Sequence, residues 1–412
     1  MLRVRKMARD DLSAALVQGV YPFVENLYHC LRCNYCVEMR WQERGIQHVC
    51  PTLLHHNPAP GYSGKGYLAT ARALLEGEEL PIDSLVERLF NCTTCGNCEE
   101  VCPVGLRPAH LVRQVRAAMA AQGLAPAPIA ACAANVIEHH NPAGAPNEAR
   151  NAWAVGLAGI AADAETLYLP GCAASCDAPD EARATVSVLH QAGLPLKLLP
   201  ADQARCCGAP LGEIGYSAEA DAERWQLAAA IERSGCRRIA VSGAECVPSL
   251  AGVDVTGGVE VLHAFDLVER AIAENRIDFK PNTHVPRGPI AVLDSCHLSK
   301  PSHSVAGAAD YPRRIRALLE RLGCRTAEAP DQGSYAICCG AAGGMPYMSP
   351  LSAARMAEGK LRSFAEVGAV AVITASPLCI AHLRRSQIRG LPEAMGIFQF
   401  IETYFRLRPM AR

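Results

Sequence analysis

Two things are scarce in this sequence: an excess of charge of either sign, and long apolar runs. Its 412 residues carry a formal net charge of −1, which argues against nucleic acid or an anionic membrane surface as a partner. No window contains 18 consecutive strongly apolar residues, so we predict no transmembrane segment. The N-terminal stretch MLRVRKMARDDL has neither an apolar core nor a cleavage site, and we predict no signal peptide.

A nucleotide-binding loop is also absent. The glycine-rich stretch from Gly340 to Gly344 matches neither G-x-G-x-x-G nor a P-loop, so we predict that this chain itself binds no nucleotide or flavin. Hydrophobic residues make up 50% of the chain and charged residues 20%, which is typical of a folded protein of two or three domains. We expect a cytoplasmic protein that reaches the inner face of a membrane, if at all, through a partner.

Cysteine, in contrast, is abundant. A disulfide scaffold is one explanation of the 20 cysteines, but such scaffolds are typical of small secreted chains. Without a secretion signal, reduced thiols that bind metal are the better interpretation.

Two cysteine runs have the spacing of iron–sulfur ligands. The downstream run, from Cys92 to Pro103, is a C-x2-C-x2-C-x3-C-P sequence, as in bacterial iron–sulfur proteins. The upstream run has C-x2-C-x2-C from Cys30 to Cys36, and its fourth cysteine, Cys50, again precedes a proline. Since the fourth cysteine of such a run usually binds the other cluster, the two runs predict a dicluster ferredoxin module.

The predicted ligand sets therefore cross between the runs. One 4Fe–4S cluster is assigned to Cys30, Cys33, Cys36 and Cys102, and the other to Cys92, Cys95, Cys98 and Cys50. Two zinc sites are the alternative, because C-x2-C pairs also bind zinc. Three clustered cysteines with a lone fourth before proline favour iron, since zinc sites use two pairs.

The segments around the runs are predicted to be helical. Apolar residues recur at helical spacing over 67–76 and 82–90. Residues 37–49 form an insertion before Cys50, either a surface insertion that shields the cluster or a docking loop for a partner. We place the helical module at residues 1–120 and a proline-containing linker at 121–163.

Beyond residue 163 a pattern of alternating strands and helices, with a helix predicted over 260–273, occurs twice. Cys172, Cys206-Cys207-Gly208 and Cys246 of the first copy recur as Cys296, Cys338-Cys339-Gly340 and Cys379, which lie 124, 132 and 133 residues later. Such alternation predicts parallel sheets. We interpret residues 164–283 and 284–412 as duplicated α/β domains, which makes the fold class α + α/β.

Each copy gathers cysteines where strands end. The carboxyl ends of parallel strands are where α/β proteins build their sites. A glycine after the Cys-Cys pair permits a turn that directs both thiols at one metal core. Buried unreactive thiols or a vicinal disulfide are the alternatives, but recurrence of the whole pattern disfavours them. Each set is therefore a candidate metal site.

These motifs resemble a known family. A dicluster module followed by two cysteine-rich CCG domains is similar to the D-type subunit of heterodisulfide reductase and its relatives, including iron–sulfur subunits of glycolate oxidase, anaerobic glycerol-3-phosphate dehydrogenase and lactate-utilisation enzymes. The resemblance covers nearly the whole chain from Cys30, and module order and length fit the glycolate oxidase type. The motifs that carry it are Cys92 to Pro103, Gly171-Cys172, Cys206-Cys207-Gly208, Asp294-Ser-Cys296-His297-Leu298 and Cys338-Cys339-Gly340.

The resemblance implies a redox subunit with partners. Family members pass electrons between a flavin partner and a quinone, a disulfide or another carrier, and complete CCG domains of heterodisulfide reductases hold noncubane 4Fe–4S clusters. We therefore expect an electron relay in a multi-subunit oxidoreductase, with a flavoprotein or other redox subunit and, through a partner, a quinone-reactive membrane component. Two alternatives stay open: catalytic disulfide reduction at Cys296, Cys338, Cys339 and Cys379, and a zinc-stabilised interaction protein without redox activity.

The sequence departs from the complete CCG pattern at one position in each copy. Where that pattern ends in Cys-x2-Cys, this chain has Ser249 after Cys246 and His382 after Cys379. Cys176 could complete the first set, and His382 or His297 the second. A histidine beside a ligand cysteine is equally expected to tune a cluster through a hydrogen bond. A noncubane cluster in one or both copies is therefore an open expectation.

Overall fold

The N-terminal part consists of helices around the two cysteine runs. The computed structural model describes residues 9–39, 45–251, 258–282, 285–300, 303, 310–386 and 388–409. Its first helices are α1 (Arg9–Val20), α2 (Val24–Leu27), α3 (Pro51–His55), α4 (Gly64–Leu75), α5 (Ile82–Phe90), α6 (Asn97–Glu100) and α7 (Pro108–Ala121). The helices predicted over 67–76 and 82–90 are confirmed as α4 and α5, which bury Leu68, Ala71, Leu85 and Leu89.

The segment at 121–163 is packed against the rest of the molecule. It contains α8 (Ala127–His139), which buries Ile129, Cys132 and Val136. Further along, the ring of Trp153 meets the ring of Tyr168 edge-on, with 6.1 Å between the centroids. This segment therefore joins the helical part to the first sheet through apolar contacts, while the boundaries at 121 and 163 stay predictions.

The first cysteine-rich copy contains a four-stranded parallel sheet. Its elements are β1 (Thr166–Leu169), α9 (Gly171–Cys176), α10 (Pro179–Gln191), β2 (Leu196–Lys197), α11 (Ala209–Ile214), α12 (Ser217–Ser234), β3 (Arg238–Val241), α13 (Cys246–Ala251), β4 (Glu260–His263) and α14 (Ala264–Ala273). The strand order is β2-β1-β3-β4. The helix predicted over 260–273 begins only at Ala264, because its first four residues pair with β3 as a strand.

The second copy repeats this topology. The strand β5 (Ile277–Pro281) ends the first copy, and the second comprises β6 (Ile290–Val292), α15 (Cys296–Ser299), α16 (Tyr311–Arg321), β7 (Thr326–Ala327), α17 (Met345–Met348), α18 (Pro350–Glu366), β8 (Ala371–Thr374), α19 (Pro377–Arg385), β9 (Glu393–Gly396), α20 (Ile397–Tyr404) and β10 (Phe405–Pro409). The parallel order β7-β6-β8-β9 matches the first sheet strand for strand.

The two copies are joined by an antiparallel pair of strands, β5 and β10, in which Leu407 lies opposite Phe279. One buried apolar cluster contains residues of both sheets, including Leu167, Ile239 and Ile373. The molecule is thus a mixed helix-and-sheet protein. Among the described residues, no helix is long and apolar enough to cross a membrane.

Candidate metal centres

The first set, formed by Cys30, Cys33, Cys36 and Cys102, surrounds a small cavity near the surface. Burial, followed by the nearby thiols of Cys30 and Cys102, raises the pKa of Cys36 to about 11. Arg32 and Asn34 adopt left-handed conformations with φ of 53° and 69°, which give the run a tight turn. Since Cys33 is exposed, this set is open to solvent on one side.

The second set, formed by Cys50, Cys92, Cys95 and Cys98, lies deeper. Cys92 and Cys95 are both buried, and the amide of Thr94 donates a hydrogen bond to the Sγ of Cys92 at 3.3 Å. Burial and the thiols of Cys92 and Cys95 raise the pKa of Cys50 to about 12. Thr94 and Gly96, with φ of 50° and 76°, repeat the left-handed conformations of the first run. The structure therefore places Cys50 beside Cys92 and Cys95, and Cys102 beside the first run, whose cavity Cys98 also lines, while the crossed ligand assignment stays a prediction.

The first two sets are close neighbours, separated at Gly64, where α4 begins. A Cβ atom on Gly64 would lie 2.8 Å from the Cβ of Cys98 and 3.1 Å from the Cβ of Cys36. Glycine is the residue that permits such a close approach of backbone to both runs.

The third set consists of Cys172, Cys206, Cys207 and Cys246, at the carboxyl ends of β1 and β3 and in the loop before α11. The neighbouring thiols of this set shift one another's pKa values, upwards for Cys206 and Cys246 and downwards for Cys207. Gly208 has φ of +80°, and a Cβ there would overlap the carbonyl oxygen of Ala220. The glycine of the Cys-Cys-Gly motif is thus required by the turn.

Arg150, from the segment at 121–163, contacts the third set. Its Nη2 donates a hydrogen bond to the Sγ of Cys172 at 3.2 Å, and its Nη1 donates to the carbonyl of His140 at 2.8 Å. The neighbouring Cys206 thiol, together with the charge of Arg150, lowers the pKa of the Cys172 thiol. No motif marks Arg150, so the sequence reasoning missed it.

The fourth set, formed by Cys296, Cys338, Cys339 and Cys379, repeats the third. Its neighbouring thiols likewise shift one another's pKa values, upwards for Cys296 and Cys339 and downwards for Cys338 and Cys379. Gly340 follows the pair with φ of +96°. All four cysteines are buried.

The residues that replace the last cysteine of each CCG pattern lie beside the Cys-Cys-Gly turns. Ser249 donates a hydrogen bond from its hydroxyl to the carbonyl of Cys207 at 2.6 Å. The Nε2 of His382 hydrogen-bonds the carbonyl of Ala353 at 3.1 Å and would lie 3.2 Å from a Cβ on Gly340. Ser249 therefore holds its turn through the backbone of Cys207, whereas His382 packs against the glycine of the other turn.

Two further candidates lie beside the sets. Burial and the neighbouring Cys172 raise the pKa of Cys176 to about 11. His297 places its Nδ1 3.8 Å from the Sγ of Cys296, while its Nε2 lies 2.6 Å from Glu213. Burial alone would lower the pKa of His297, but the Glu213 carboxylate outweighs it and raises that pKa to about 9.

The second and fourth sets are in contact. Cys95, Cys296 and Cys338 belong to one small buried cluster together with Ala342. The glycine-rich stretch makes this approach possible, because a Cβ on Gly343 would lie 2.6 Å from the carbonyl oxygen of Cys92. Gly340 to Gly344 thus serves the packing of two cysteine sets.

The insertion at 37–49 is described only at its ends. Residues 40–44 lie outside the described residues, whereas Ile46 and Val49 are buried. The carbonyl of Val49 accepts a hydrogen bond from the Nδ2 of Asn97 at 2.9 Å, which attaches the end of the insertion to the second run. Its role as a shield or a docking loop stays a prediction.

The donor sets fit 4Fe–4S clusters. In the first two sets, thiols crowd together and hinder one another's ionisation, and a cationic iron core that binds thiolates relieves this repulsion. Among the described residues, no three Cys, His, Asp or Glu side chains are grouped around a single metal ion. Each thiolate of a four-iron cluster binds a different iron, which suits the wider grouping seen here.

Comparisons with known proteins agree with this interpretation. Residues 26–106 match the 4Fe-4S dicluster domain, and residues 166–251 and 290–384 each match the cysteine-rich domain. The chain is 25% identical over 380 residues to the D-type subunit of the dihydromethanophenazine:CoB--CoM heterodisulfide reductase of Methanosarcina barkeri, covering 86% of this chain and 87% of that one.

The chain is also similar to two other redox proteins. EtfAB:quinone oxidoreductase of Syntrophomonas wolfei is 24% identical over 373 residues, which are 78% of this chain and 49% of that one. A probable glycolate oxidase iron-sulfur subunit of Bacillus subtilis is 28% identical over 90 residues, or 22% and 18% of the two chains. The chain therefore contains a 4Fe-4S dicluster domain and two cysteine-rich domains, is similar over most of its length to the D-type subunits of heterodisulfide reductase, and is an iron–sulfur electron-transfer subunit of an oxidoreductase complex.

Proposed function

We propose that electrons pass in a fixed order: from a partner to the first set, then to the second set, then to the fourth. The observation that carries this order is the buried contact of Cys95 with Cys296 and Cys338. The exposed first set faces solvent at Cys33, whereas the second is enclosed between the first and the fourth. Bound 4Fe–4S clusters supply single-electron transfer, and the chain supplies their spacing and burial.

The ligand assignment belongs to this proposal. Cys30, Cys33, Cys36 and Cys102 would hold one cubane cluster, and Cys50, Cys92, Cys95 and Cys98 the other; the mutual effects on thiol ionisation support both groups. The third and fourth sets are proposed as sites for further clusters. Ser249 would then position its Cys-Cys-Gly turn through the Cys207 carbonyl, His382 would pack against Gly340 of the other turn, and both would leave the metal to the cysteines.

The domain division is proposed on the same grounds. A helical dicluster module would be followed by two duplicated α/β CCG domains, whose sheets have the same strand order. A cytoplasmic location, with any membrane association through a partner, fits this organisation.

We infer that the partner at the first set is a flavoprotein. Large apolar side chains are exposed around Cys33, namely Tyr28 (50%), Leu31 (65%), Tyr35 (45%) and Val104 (41%). Exposed apolar groups of this kind mark interaction sites, and Arg32 and Lys65 add positive charge to the same surface. A flavoprotein with an acidic docking face would be complementary to this surface, here called the cluster-1 surface.

The cluster-1 surface can be tested by introducing a repelling charge. Leu31→Asp is expected to slow reduction of the chain by a reduced electron-transferring flavoprotein at least tenfold, while reduction by dithionite is unchanged. Val155→Asp is the matched control, because Val155 is 79% exposed on another part of the molecule. Equal rates for wild type, Leu31→Asp and Val155→Asp would contradict docking at this surface.

A second candidate function is reduction of a small disulfide. A cavity between the third and fourth sets is lined by Cys172, Glu245, Tyr347, His382 and Arg385, and so reaches both copies. Two electrons from the relay and two protons would convert one disulfide into two thiols there. Multiple-turnover disulfide reduction by the wild-type complex, lost in Cys339→Ser with both cubane signals retained, would favour this function over a pure relay.

A further inference from the structure

Lys300 is a fully buried lysine. Its relative exposure is 0%, and the acceptors of its Nζ among the described residues are neutral oxygens. Removing an ammonium group from water costs several kcal/mol unless an opposite charge compensates it. No carboxylate of the described residues forms an ion pair with Lys300, whereas thiolates at the neighbouring second set would supply the opposite charge.

The Nζ of Lys300 is held in place by three oxygen acceptors. It donates hydrogen bonds to the Oδ1 of Asn97 at 3.0 Å, to the carbonyl of Ser334 at 2.6 Å and to the carbonyl of Ala336 at 2.9 Å. Asn97 lies between Cys95 and Cys98 in the second run. The ammonium group is thus fixed beside the second set, on the side where Cys95 meets the fourth set.

The duplicated fold shows that this lysine is specific to one copy. Lys300 follows Cys296 by four residues, and the corresponding residue of the first copy is Cys176, four residues after Cys172. In the first copy this position lies beside Cys172 and Arg150, and it has a thiol instead of a cation. The cation therefore accompanies the copy that contacts the second set.

Arg116 is a second buried cation at the second set. Its exposure is 0%, and its guanidinium donates to the carbonyls of Leu89 and Cys92, as well as to those of Glu213 and Gly343. All of these acceptors are neutral backbone groups. Within the described ranges, neither Lys300 nor Arg116 forms an ion pair with a carboxylate, and both lie close to the second set.

We propose that Lys300, together with Arg116, provides the counter-charge for the cluster at the second set, and that Lys300 raises the reduction potential of that cluster above that of the first. Reduction adds one electron without breaking a bond, so a fixed cation stabilises the reduced form. The electron comes from the first set, and the difference in potential draws it inward. This inference rests on the proposed ligand assignment.

The test is an EPR-monitored redox titration of the anaerobically purified full chain. Lys300→Met is expected to lower the reduction potential of one of the two cubane clusters. At a fixed ambient potential, the ratio of oxidised to reduced cluster should then rise at least tenfold, which corresponds to a shift of about 59 mV for one electron. The other potential is expected to stay unchanged. Lys300→Arg retains the charge and should leave both potentials close to wild type.

Two controls separate charge from packing. Lys300→Gln keeps a hydrogen-bond donor without the charge, so it should lower the same reduction potential. If the Lys300→Met protein does not bind iron, the Lys300→Gln protein is used for the titration instead. Lys65→Met removes a lysine that lines the cavity of the first set, and it should leave the second-set potential unchanged. Equal potentials in wild type and Lys300→Gln would overturn the role of Lys300, whereas absence of any 4Fe–4S signal from wild type would overturn the proposed function itself.

Discussion

Glu181 shows how a single residue couples the two cysteine-rich copies. Its side chain leaves α10 of the first copy and lies at the start of α20 of the second, where the amide of Gln399 donates to its Oε2 at 3.3 Å. A Cβ on Gly396 would overlap this carboxylate. Burial raises the pKa of Glu181 from 4.5 to about 8, although backbone amides and Arg384 favour the charged form.

This carboxyl makes stability depend on pH. Since the folded-state pKa lies above the unfolded one, the folded protein binds more protons between pH 4.5 and about 8. The free energy of unfolding is therefore highest below this pH window. It falls as pH rises through the window, by up to about 1.4 kcal/mol per pH unit. Glu181→Gln should remove this slope, which chemical denaturation at pH 5.5, 6.5 and 7.5 would measure. Parallel slopes for the two proteins would contradict the assignment.

At the residue scale, spacing predicts the cysteines but not the cations around them. The crossed sets follow from the two runs because the fourth cysteine of each is marked by proline. Arg116, Arg150 and Lys300 have no such mark, since each lies in a stretch with the pattern of an ordinary helix or loop. Their burial depends on acceptors far away in sequence, such as Gly343 for Arg116.

Among the elements, α4 determines how closely the first two sets approach. Its first residue, Gly64, lies between Cys36 and Cys98. An alanine at this position would force apart the two runs or the start of the helix, because 2.8 Å is too short for two Cβ atoms. The helix start is therefore part of the dicluster site.

Gly64→Ala should reduce the iron and acid-labile sulfide bound by the purified protein and weaken the magnetic coupling between the two clusters. Gly212→Ala is the matched control, because its Cβ would meet only the Cβ of Ala220 at 3.9 Å and α11 should gain up to about 1 kcal/mol. Iron analysis and EPR of both variants make the comparison. Full loading of Gly64→Ala with unchanged coupling would show that the tight contact is not needed.

The element predictions succeed where periodicity is long and fail where elements are short. Helix α5 begins at Ile82 and ends at Phe90, as predicted, since Leu85 and Leu89 give it a clear apolar face. The sequence pattern does not predict strand β4, because its four residues run directly into α14, with His263 as the N-cap of the helix. Only pairing with β3, a non-local contact, separates the strand from the helix.

At the scale of the whole molecule, the C-terminal strand closes the pair of copies. Strand β10 pairs with β5, and Phe405 and Leu407 are 3% and 8% exposed. Each copy therefore contributes one strand to a small sheet between them. The same contact is invisible to local sequence patterns because 124 or more residues separate the partners.

Truncation after Tyr404 should lower the thermal unfolding midpoint of the cysteine-rich part. Loss of two buried apolar side chains costs roughly 3 kcal/mol or more. Truncation after Pro409 removes only residues 410–412 and is the control, which should melt like wild type. Calorimetry of wild type and the two truncated proteins would measure the thermal unfolding midpoints. Equal midpoints in all three would show that the β5–β10 pair does not contribute to stability.

We propose that two neighbouring 4Fe–4S clusters form a relay that leads to the fourth set. EPR of the anaerobically purified, reduced chain, together with iron and sulfide analysis, tests this relay. Roughly eight iron atoms are expected for the two cubane clusters, any further cluster adding to these, with a spectrum of two magnetically interacting centres. Cys95→Ser should remove the interaction while one cubane signal remains. A colourless protein that contains zinc, without iron or sulfide, would overturn the relay.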